Sequence, residues 1–139
     1  MERTNDALLL LGRLLLATLF LPSGIGKLFE FQTFAARPSL QALPFGGTAW
    51  AAAAVAIEVL VPIALIIGFA PRLSALLLMA FVIAATATTH RYWEFTEPAR
   101  RAQEINFFKN VGILAGLCFY MASGPGAWSM SGRKADASR

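Results

Sequence analysis

Residues 48–90, TAWAAAAVAIEVLVPIALIIGFAPRLSALLLMAFVIAATATTH, decide the fold of this chain. Only Glu58 and Arg72 carry a full charge within this stretch. A helix needs about 20 predominantly apolar residues to cross a hydrocarbon core of about 30 Å, so the stretch is long enough for two crossings. The segment from Gly68 to Arg72 divides it with a glycine stop and a proline restart. The sequence therefore predicts two transmembrane helices joined by a tight turn as an antiparallel hairpin.

The whole chain has the composition of a membrane protein. Hydrophobic residues make up 57% and charged residues 14%, with a mean hydropathy of +0.59, far from the average of soluble domains. The apolar runs predict four transmembrane spans, at residues 7–29, 48–69, 72–90 and 104–122. The first run contains Arg13 and continues to Lys27, unlike a removable signal peptide. We therefore predict an all-α integral membrane four-helix bundle at residues 1–128, made of two antiparallel helical hairpins, and a disordered polar tail at residues 129–139.

The charges exclude some functions and leave the orientation open. The net charge of +4 comes from basic residues scattered over the connections and the tail, so we expect lipid headgroups and not nucleic acid as their partners. Four spans place both termini on one side, called here the terminal side, and the two longer connections on the other, the loop side. The positive-inside rule does not choose between them. The terminal side has Arg3, Arg72, Arg133, Lys134 and Arg139, and the loop side has Lys27, Arg37, Arg91, Arg100 and Arg101.

Several polar residues lie inside the predicted spans. An ionisable group near the centre of a span costs about 2.5–3.5 kcal/mol on insertion scales, so each needs a partner or a task. Helical spacing puts Arg13 and Lys27 on one stripe of the first span. Lys27, His90 and Asn106 all lie towards the loop side, which predicts a polar pocket in that half of the bundle. We expect Arg13 or Lys109 to lie within salt-bridge reach of Glu58.

These residues are the candidates for a functional site. Glu58 and His90 are the catalytic candidates, because each can move a proton. The candidate ligand-binding residues are Arg13, Lys27, Asn106, Lys109 and Asn110. Structural alternatives stay open: Glu58 as a packing ion pair or a protonated acid, His90 as an interfacial hydrogen-bonder, Lys27 as a snorkelling side chain and the asparagines as helix bridges. With no second histidine and no cysteine beside His90, no metal site is predicted.

The ordered set of motifs resembles the DoxX family of small bacterial four-helix membrane proteins. The matching pieces are Gly12-Arg13, the segment from Ser23 to Lys27, Ile57-Glu58, the stretch from His90 to Trp93, the segment from Ile105 to Asn110, and Gly124-Pro125-Gly126. The resemblance implies a four-helix bundle in the bacterial inner membrane with cytoplasmic termini. It also implies a redox setting, because relatives include a subunit of a thiosulfate:quinone oxidoreductase and a membrane partner in an oxidative-stress complex.

Three functions from different classes follow. The first is the membrane subunit of an oxidoreductase system, quinone-linked or thiol/sulfur-linked and related to oxidative stress, whose pocket holds a quinone headgroup or a small anion. Soluble redox proteins, or a second copy of the chain, are its possible partners. The second is a small proton-coupled transporter in which Glu58 binds a proton or cation. The third is a non-catalytic membrane assembly partner. The single cysteine, Cys118, argues against a mechanism that passes electrons through an internal dithiol.

Overall fold

The computed structural model describes residues 2–132, with side chains from residue 4 onward, and this part of the chain is all-helical. The helices are α1 (Glu2–Phe29), α2 (Phe31–Ala35), α3 (Pro38–Gln41), α4 (Gly46–Ile67), α5 (Pro71–Thr89) and α6 (Ala99–Ser123), with a 3-10 turn at Tyr92–Glu94. Four of them, α1, α4, α5 and α6, are long and apolar enough to cross a membrane. The predicted fold class is confirmed. The largest differences in span boundaries are at α1 and α6, which begin at Glu2 and Ala99, each five residues before the predicted start.

The turn between α4 and α5 forms where the sequence predicts it. Gly68 ends α4 with φ +67°, a left-handed conformation that glycine adopts at little cost. Pro71 begins α5, where its missing N–H is not needed for a helix hydrogen bond. A side chain at residue 68 would also clash, because a Cβ atom there would lie 2.4 Å from Ser129 Cβ. The glycine therefore serves both the turn and the close approach of residue 129.

The long helices pack in the order α1, α4, α5, α6, and Leu16 of α1 against Gly116 of α6 closes the bundle. One core cluster lies between them, formed by Phe20, Leu65, Ala75, Leu78, Val82, Ile113, Leu117 and Tyr120. Large apolar side chains also cover the outside, among them Leu15, Leu60 and Phe119, which are 58%, 64% and 75% exposed. Such an apolar exterior suits helices that are surrounded by lipid tails.

The connection between α1 and α4 folds against the bundle, a feature that the sequence did not predict. Helices α2 and α3 pack on α4, where Phe34 and Ala35 meet Ala51 and Val55 in a second buried cluster. Gly47 permits this approach, since a Cβ atom there would lie 2.2 Å from the carbonyl oxygen of Ala35. The first turns of α4 are thus occupied by the connection, and the end of α1 faces the middle of α4.

Residues after α6 pack against the terminal side of the bundle, where that helix ends. Ser129 is 1% exposed, and its hydroxyl donates to the carbonyl of Gly126 at 2.6 Å. Ser131 donates through its hydroxyl to the carbonyl of Gly68 at 2.7 Å, which ties the segment to the turn between α4 and α5. The predicted disordered tail began at residue 129, but residues 129–132 are packed and hydrogen-bonded. The rest of that predicted tail, residues 133–139, lies outside the described residues.

Candidate functional site

A buried ion pair joins α1 and α4 on the loop side. Lys27 Nζ lies 2.5 Å from Glu58 Oε2, and the hydroxyl of Ser23 donates to Glu58 Oε1 at 3.2 Å. Glu58 is 4% exposed. Both carboxylate oxygens therefore have a partner, as a charge inside a low-dielectric bundle requires. Ser23 and Lys27 stand one helical turn apart, so α1 presents both to the same carboxylate.

Glycine brings the two helices close enough for this contact. Gly24 is buried, and a Cβ atom at this position would lie 2.8 Å from Glu58 Cβ and 2.9 Å from Val59 Cγ2. Small residues allow such close approach between transmembrane helices, where packing and polar contacts provide most of the attraction. Ser23, Gly24 and Lys27 therefore form one recognition surface on α1 for residue 58 of α4.

Aromatic rings surround the ammonium group of Lys27. Its Nζ atom lies 5.2 Å from the ring centroid of Phe34 in α2 and 5.8 Å from that of Phe81 in α5. Both distances are within the range of cation–π attraction. The Lys27 side chain is 23% exposed, against 5% for that of Glu58. Lys27 is therefore the member of the pair that a ligand can reach.

An apolar groove opens next to the helical turns that carry the ion pair, although neither Lys27 nor Glu58 lines it. It has a volume of about 340 Å³ and lies between α1, α2 and α4, lined by Leu28, Phe31, Ala52, Val55, Ala56, Val59 and Leu60. Leu28 follows Lys27 in the chain, and Val59 follows Glu58. The groove can hold part of an apolar molecule within a few residues of the charged pair. Its lining is apolar, whereas the sequence predicted a polar pocket in this half of the bundle.

The polar residues of α6 divide between two environments. Asn110 is 8% exposed and donates through Nδ2 to the hydroxyl of Thr86 at 2.8 Å, which bridges α6 and α5. Lys109 and Asn106 bond to each other on the exposed side of the same helix, with Nζ and Oδ1 2.9 Å apart. Lys109 does not reach Glu58. Helical spacing places these three residues on one face of α6. One edge of that face points into the bundle, and the other edge points out of it.

His90 ends α5 and contacts the start of α6. Its Nδ1 atom lies 2.7 Å from Gln103 Oε1. Nearby, the 3-10 turn packs on α6 through aromatic rings, with the centroids of Tyr92 and Phe107 5.5 Å apart. Among the hydrogen bonds of the described residues, His90 makes none to Glu58 or Lys27. Glu58 and His90, the two catalytic candidates, therefore have different hydrogen-bond partners and do not bond to each other.

Arg13 lies in a second polar cluster on the terminal side, and the prediction that Arg13 or Lys109 pairs with Glu58 is wrong. Arg13 is 1% exposed and donates through Nη1 to the carbonyl of Ile66 and through Nη2 to the carbonyl of Trp128, each at 2.7 Å. The Ile66 carbonyl belongs to the last turn of α4, which attracts a cation. Arg13 and Lys27 share a stripe of α1, but fourteen residues separate them, or about 21 Å along a helix.

The sequence missed three groups that complete these clusters. Phe34 and Phe81 flank Lys27, and the hydroxyl of Tyr120 is buried near Arg13. Their residue types are ordinary for a membrane helix or an interfacial connection, so no local signal marks them. Two signals pointed to Ser23, namely its one-turn spacing to Lys27 and its place in the segment that resembles DoxX proteins. Within residues 2–132, no three His, Cys, Asp or Glu side chains gather as metal ligands would.

Fold and site together define an integral membrane protein of four helices whose loop-side half is joined by a buried ion pair. The chain belongs to the DoxX family, whose model matches residues 8–91. It is also similar to the inner membrane protein YphA of Escherichia coli strain K12, with 31% identity over 129 residues that cover 93% of this chain and 91% of the relative. No solved structure matches the chain significantly.

Proposed function

We propose that this chain is the inner-membrane subunit of an oxidoreductase system, and that its loop-side half binds the headgroup of a quinone. The similarity to an inner membrane protein supports the location. The observation that carries the proposal is the partly exposed Lys27, held by Glu58 between two aromatic rings and beside an apolar groove. A quinone needs an apolar wall for its ring and tail and a donor for its carbonyl oxygen.

The residues take distinct roles in this proposal. Lys27 donates a hydrogen bond to the quinone carbonyl, and the rings of Phe34 and Phe81 border the headgroup. Glu58 keeps Lys27 charged and relays protons from solvent to the quinone, which takes up two protons together with the two electrons of its reduction to a quinol. The electrons in this proposal come from a soluble redox partner, since Cys118 is the single cysteine of the sequence and cannot form an internal dithiol. A small anion would bind to the same ammonium group of Lys27 but would not need the apolar groove.

Binding can be tested on the full chain in lipid nanodiscs with a short-chain ubiquinone analogue, followed by quenching of tryptophan fluorescence. We expect Lys27→Met to raise the Kd at least about tenfold, since one charge-assisted hydrogen bond contributes about 1.5–3 kcal/mol. Lys109→Met is the matched control, because Lys109 is exposed and, among the described residues, hydrogen-bonds only to Asn106 of its own helix. Phe81→Leu should weaken binding while leaving the ion pair in place.

The outcomes separate binding from packing. Wild-type protein that does not bind the quinone, or a Lys109→Met variant that loses as much affinity as Lys27→Met, contradicts the proposal. Competition of the quinone by thiosulfate, with the same dependence on Lys27, would show that the site also accepts small anions. Thermal unfolding of each variant shows whether it is folded before its affinity is compared.

A second candidate function, a membrane assembly partner without a ligand, is favoured by one observation. Polar groups bridge helices in several places: Lys27 to Glu58, Asn110 to Thr86 and Arg13 to the end of α4. Such bonds fix packing without any ligand. This candidate predicts that Lys27→Met lowers stability and changes the recovery of partner proteins, while no quinone binds to the wild type.

A further inference from the structure

The Phe34 ring contacts a second cation, which has no role in the proposed quinone site so far. The guanidinium carbon of Arg37 lies 5.1 Å from the ring centroid of Phe34, and Lys27 Nζ lies 5.2 Å from the same centroid. Both distances are within the range of cation–π attraction. Phe34 is 8% exposed and belongs to the buried cluster with Ala51 and Val55. A ring that is fixed by the fold therefore holds both cations at one place.

The main chain fixes the position of Arg37 relative to this ring. The amide of Arg37 donates to the carbonyl of Phe34 at 3.2 Å, and its own carbonyl accepts from the amides of Leu40 and Gln41, each at 3.0 Å. Pro38 follows and favours the extended conformation that Arg37 has, with φ −60° and ψ 132°. Arg37 is thus the N-cap residue of α3, and its side chain starts from a well-defined point beside Phe34.

The charges around the ring do not cancel. Lys27 pairs with Glu58, whereas Arg37 is exposed and forms no salt bridge with an acidic side chain of residues 4–132. Glu30, the acid of the same connection, is also exposed and forms no salt bridge in that range. Two cations and one carboxylate leave one positive charge in excess at this corner of the bundle. An anion would balance it.

We infer that Arg37 is a second ligand-binding cation of the loop-side site, and that the site prefers an anionic planar ligand to a neutral one. The inference rests on the proposed quinone site and specifies the class of quinone, namely one with an ionised ring hydroxyl. A guanidinium presents a fork of N–H donors that matches two neighbouring oxygens of an anion. An ionised hydroxyl and the carbonyl next to it on a quinone ring are such a pair. The apolar part of the ligand has a wall nearby, because Phe31 packs against the Phe34 cluster and lines the groove.

The test compares two naphthoquinones by isothermal titration calorimetry on the full chain in phosphatidylcholine nanodiscs. One is 2-hydroxy-1,4-naphthoquinone, which is an anion at neutral pH, and the other is its 2-methoxy analogue, which stays neutral. We expect the wild type to bind the anion at least about tenfold more tightly, and Arg37→Gln to lower this ratio of Kd values at least about fivefold. Arg37→Lys keeps the charge without the fork and should keep part of the ratio.

Arg100→Gln is the matched control, because Arg100 is also exposed on the loop side and forms no salt bridge among residues 4–132. It should leave the ratio unchanged, whereas a general effect of surface charge would lower the ratio in both variants. The main-chain bonds at residue 37 do not need the arginine side chain, so Arg37→Gln should fold. Thermal unfolding of each variant checks this before affinities are compared.

A third ligand, 2-naphthoate, separates this inference from the quinone proposal, since it is an anionic ring without a quinone. If 2-naphthoate binds through Arg37 and neither quinone binds, the anion preference stands and the quinone proposal fails. If the neutral quinone binds through Lys27 and Arg37→Gln keeps the wild-type ratio, the quinone proposal stands and this inference is overturned. It is also overturned if the wild type does not bind the anionic ligands more tightly, or if Arg100→Gln lowers the ratio as much.

Discussion

At the scale of single residues, the two buried charges of this bundle are stabilised in different ways. Glu58 is paired with a cation and a hydroxyl, whereas Arg13 binds two carbonyl oxygens. The sequence predicts that both charges need partners, because each lies within an apolar span. It does not show which partner lies opposite, since the relative depth of two helices depends on the connection between them. Helices α2 and α3 form that connection and pack on α4, and in the resulting arrangement Lys27 lies opposite Glu58.

The contribution of the Lys27–Glu58 ion pair to the free energy of unfolding can be measured by substituting Glu58. Glu58→Gln leaves Lys27 without a counter-charge, and we expect a loss of about 1–3 kcal/mol in the free energy of unfolding. This lies above the average of about 0.6 kcal/mol for polar contacts between membrane helices. Adding Lys27→Met to the same chain should recover part of the loss. The measurement is equilibrium unfolding in mixed detergent micelles.

Glu104→Gln is the control for this experiment. Glu104 pairs with Arg101 at 3.0 Å, but that arginine side chain is 70% exposed, and exposed pairs contribute about 0–1 kcal/mol. If Glu58→Gln costs no more than Glu104→Gln, the buried pair is not a stabilising contact. Glu58 would then have to be explained by a function alone.

At the scale of helices, the spans could be predicted well and the short elements could not. Long apolar runs and the glycine–proline turn at residues 68–71 predict α4 and α5 from the chemistry of the bilayer alone. Helices α2 and α3 have five and four residues, too few for a periodic pattern, and they depend on tertiary packing against Ala51 and Val55. The packed segment at residues 129–132 depends in the same way on contacts with Gly68.

The contact between α1 and α4 gives a prediction about two glycines of one helix. Gly24→Ala puts a Cβ atom 2.8 Å from Glu58 Cβ and should lower the free energy of unfolding by about 1–3 kcal/mol, because the helices must separate. Gly26→Ala should be neutral or slightly stabilising, since nothing lies within 4 Å of that position and alanine favours a helix. Thermal unfolding of the two variants in one detergent makes the comparison. Equal effects would show that α1 and α4 do not approach closely at Gly24.

At the scale of the whole molecule, the bundle has two polar ends with different chemistry. The loop-side end holds the Lys27–Glu58 pair near an apolar groove, and the terminal-side end holds Arg13, which donates to the carbonyls of Ile66 and Trp128. The apolar core between them, from Phe20 to Tyr120, separates the two clusters. The sequence predicted Arg13, Lys27 and Glu58 in one site, because helical spacing shows which face of a helix a residue lies on and does not show which residue of another helix lies opposite.

The side of the membrane that each end faces is the last property to test. Lys and Arg are balanced between the two sides, so the chain itself gives no strong orientation signal. We propose cytoplasmic termini, as the resemblance to DoxX proteins implies, and expect a reporter fused after Arg139 to read as cytoplasmic and one inserted near Pro38 as external. Because the two sides have equal numbers of Lys and Arg, two added lysines on the loop side should invert the orientation of part of the inserted molecules. The variant is Ser39→Lys with Ala42→Lys, both at exposed positions, and Ser39→Gln with Ala42→Gln should not have this effect. External termini in the wild type would contradict the proposal and would place the Lys27–Glu58 pair in the cytoplasmic half of the bilayer, facing soluble redox partners of the cytoplasm.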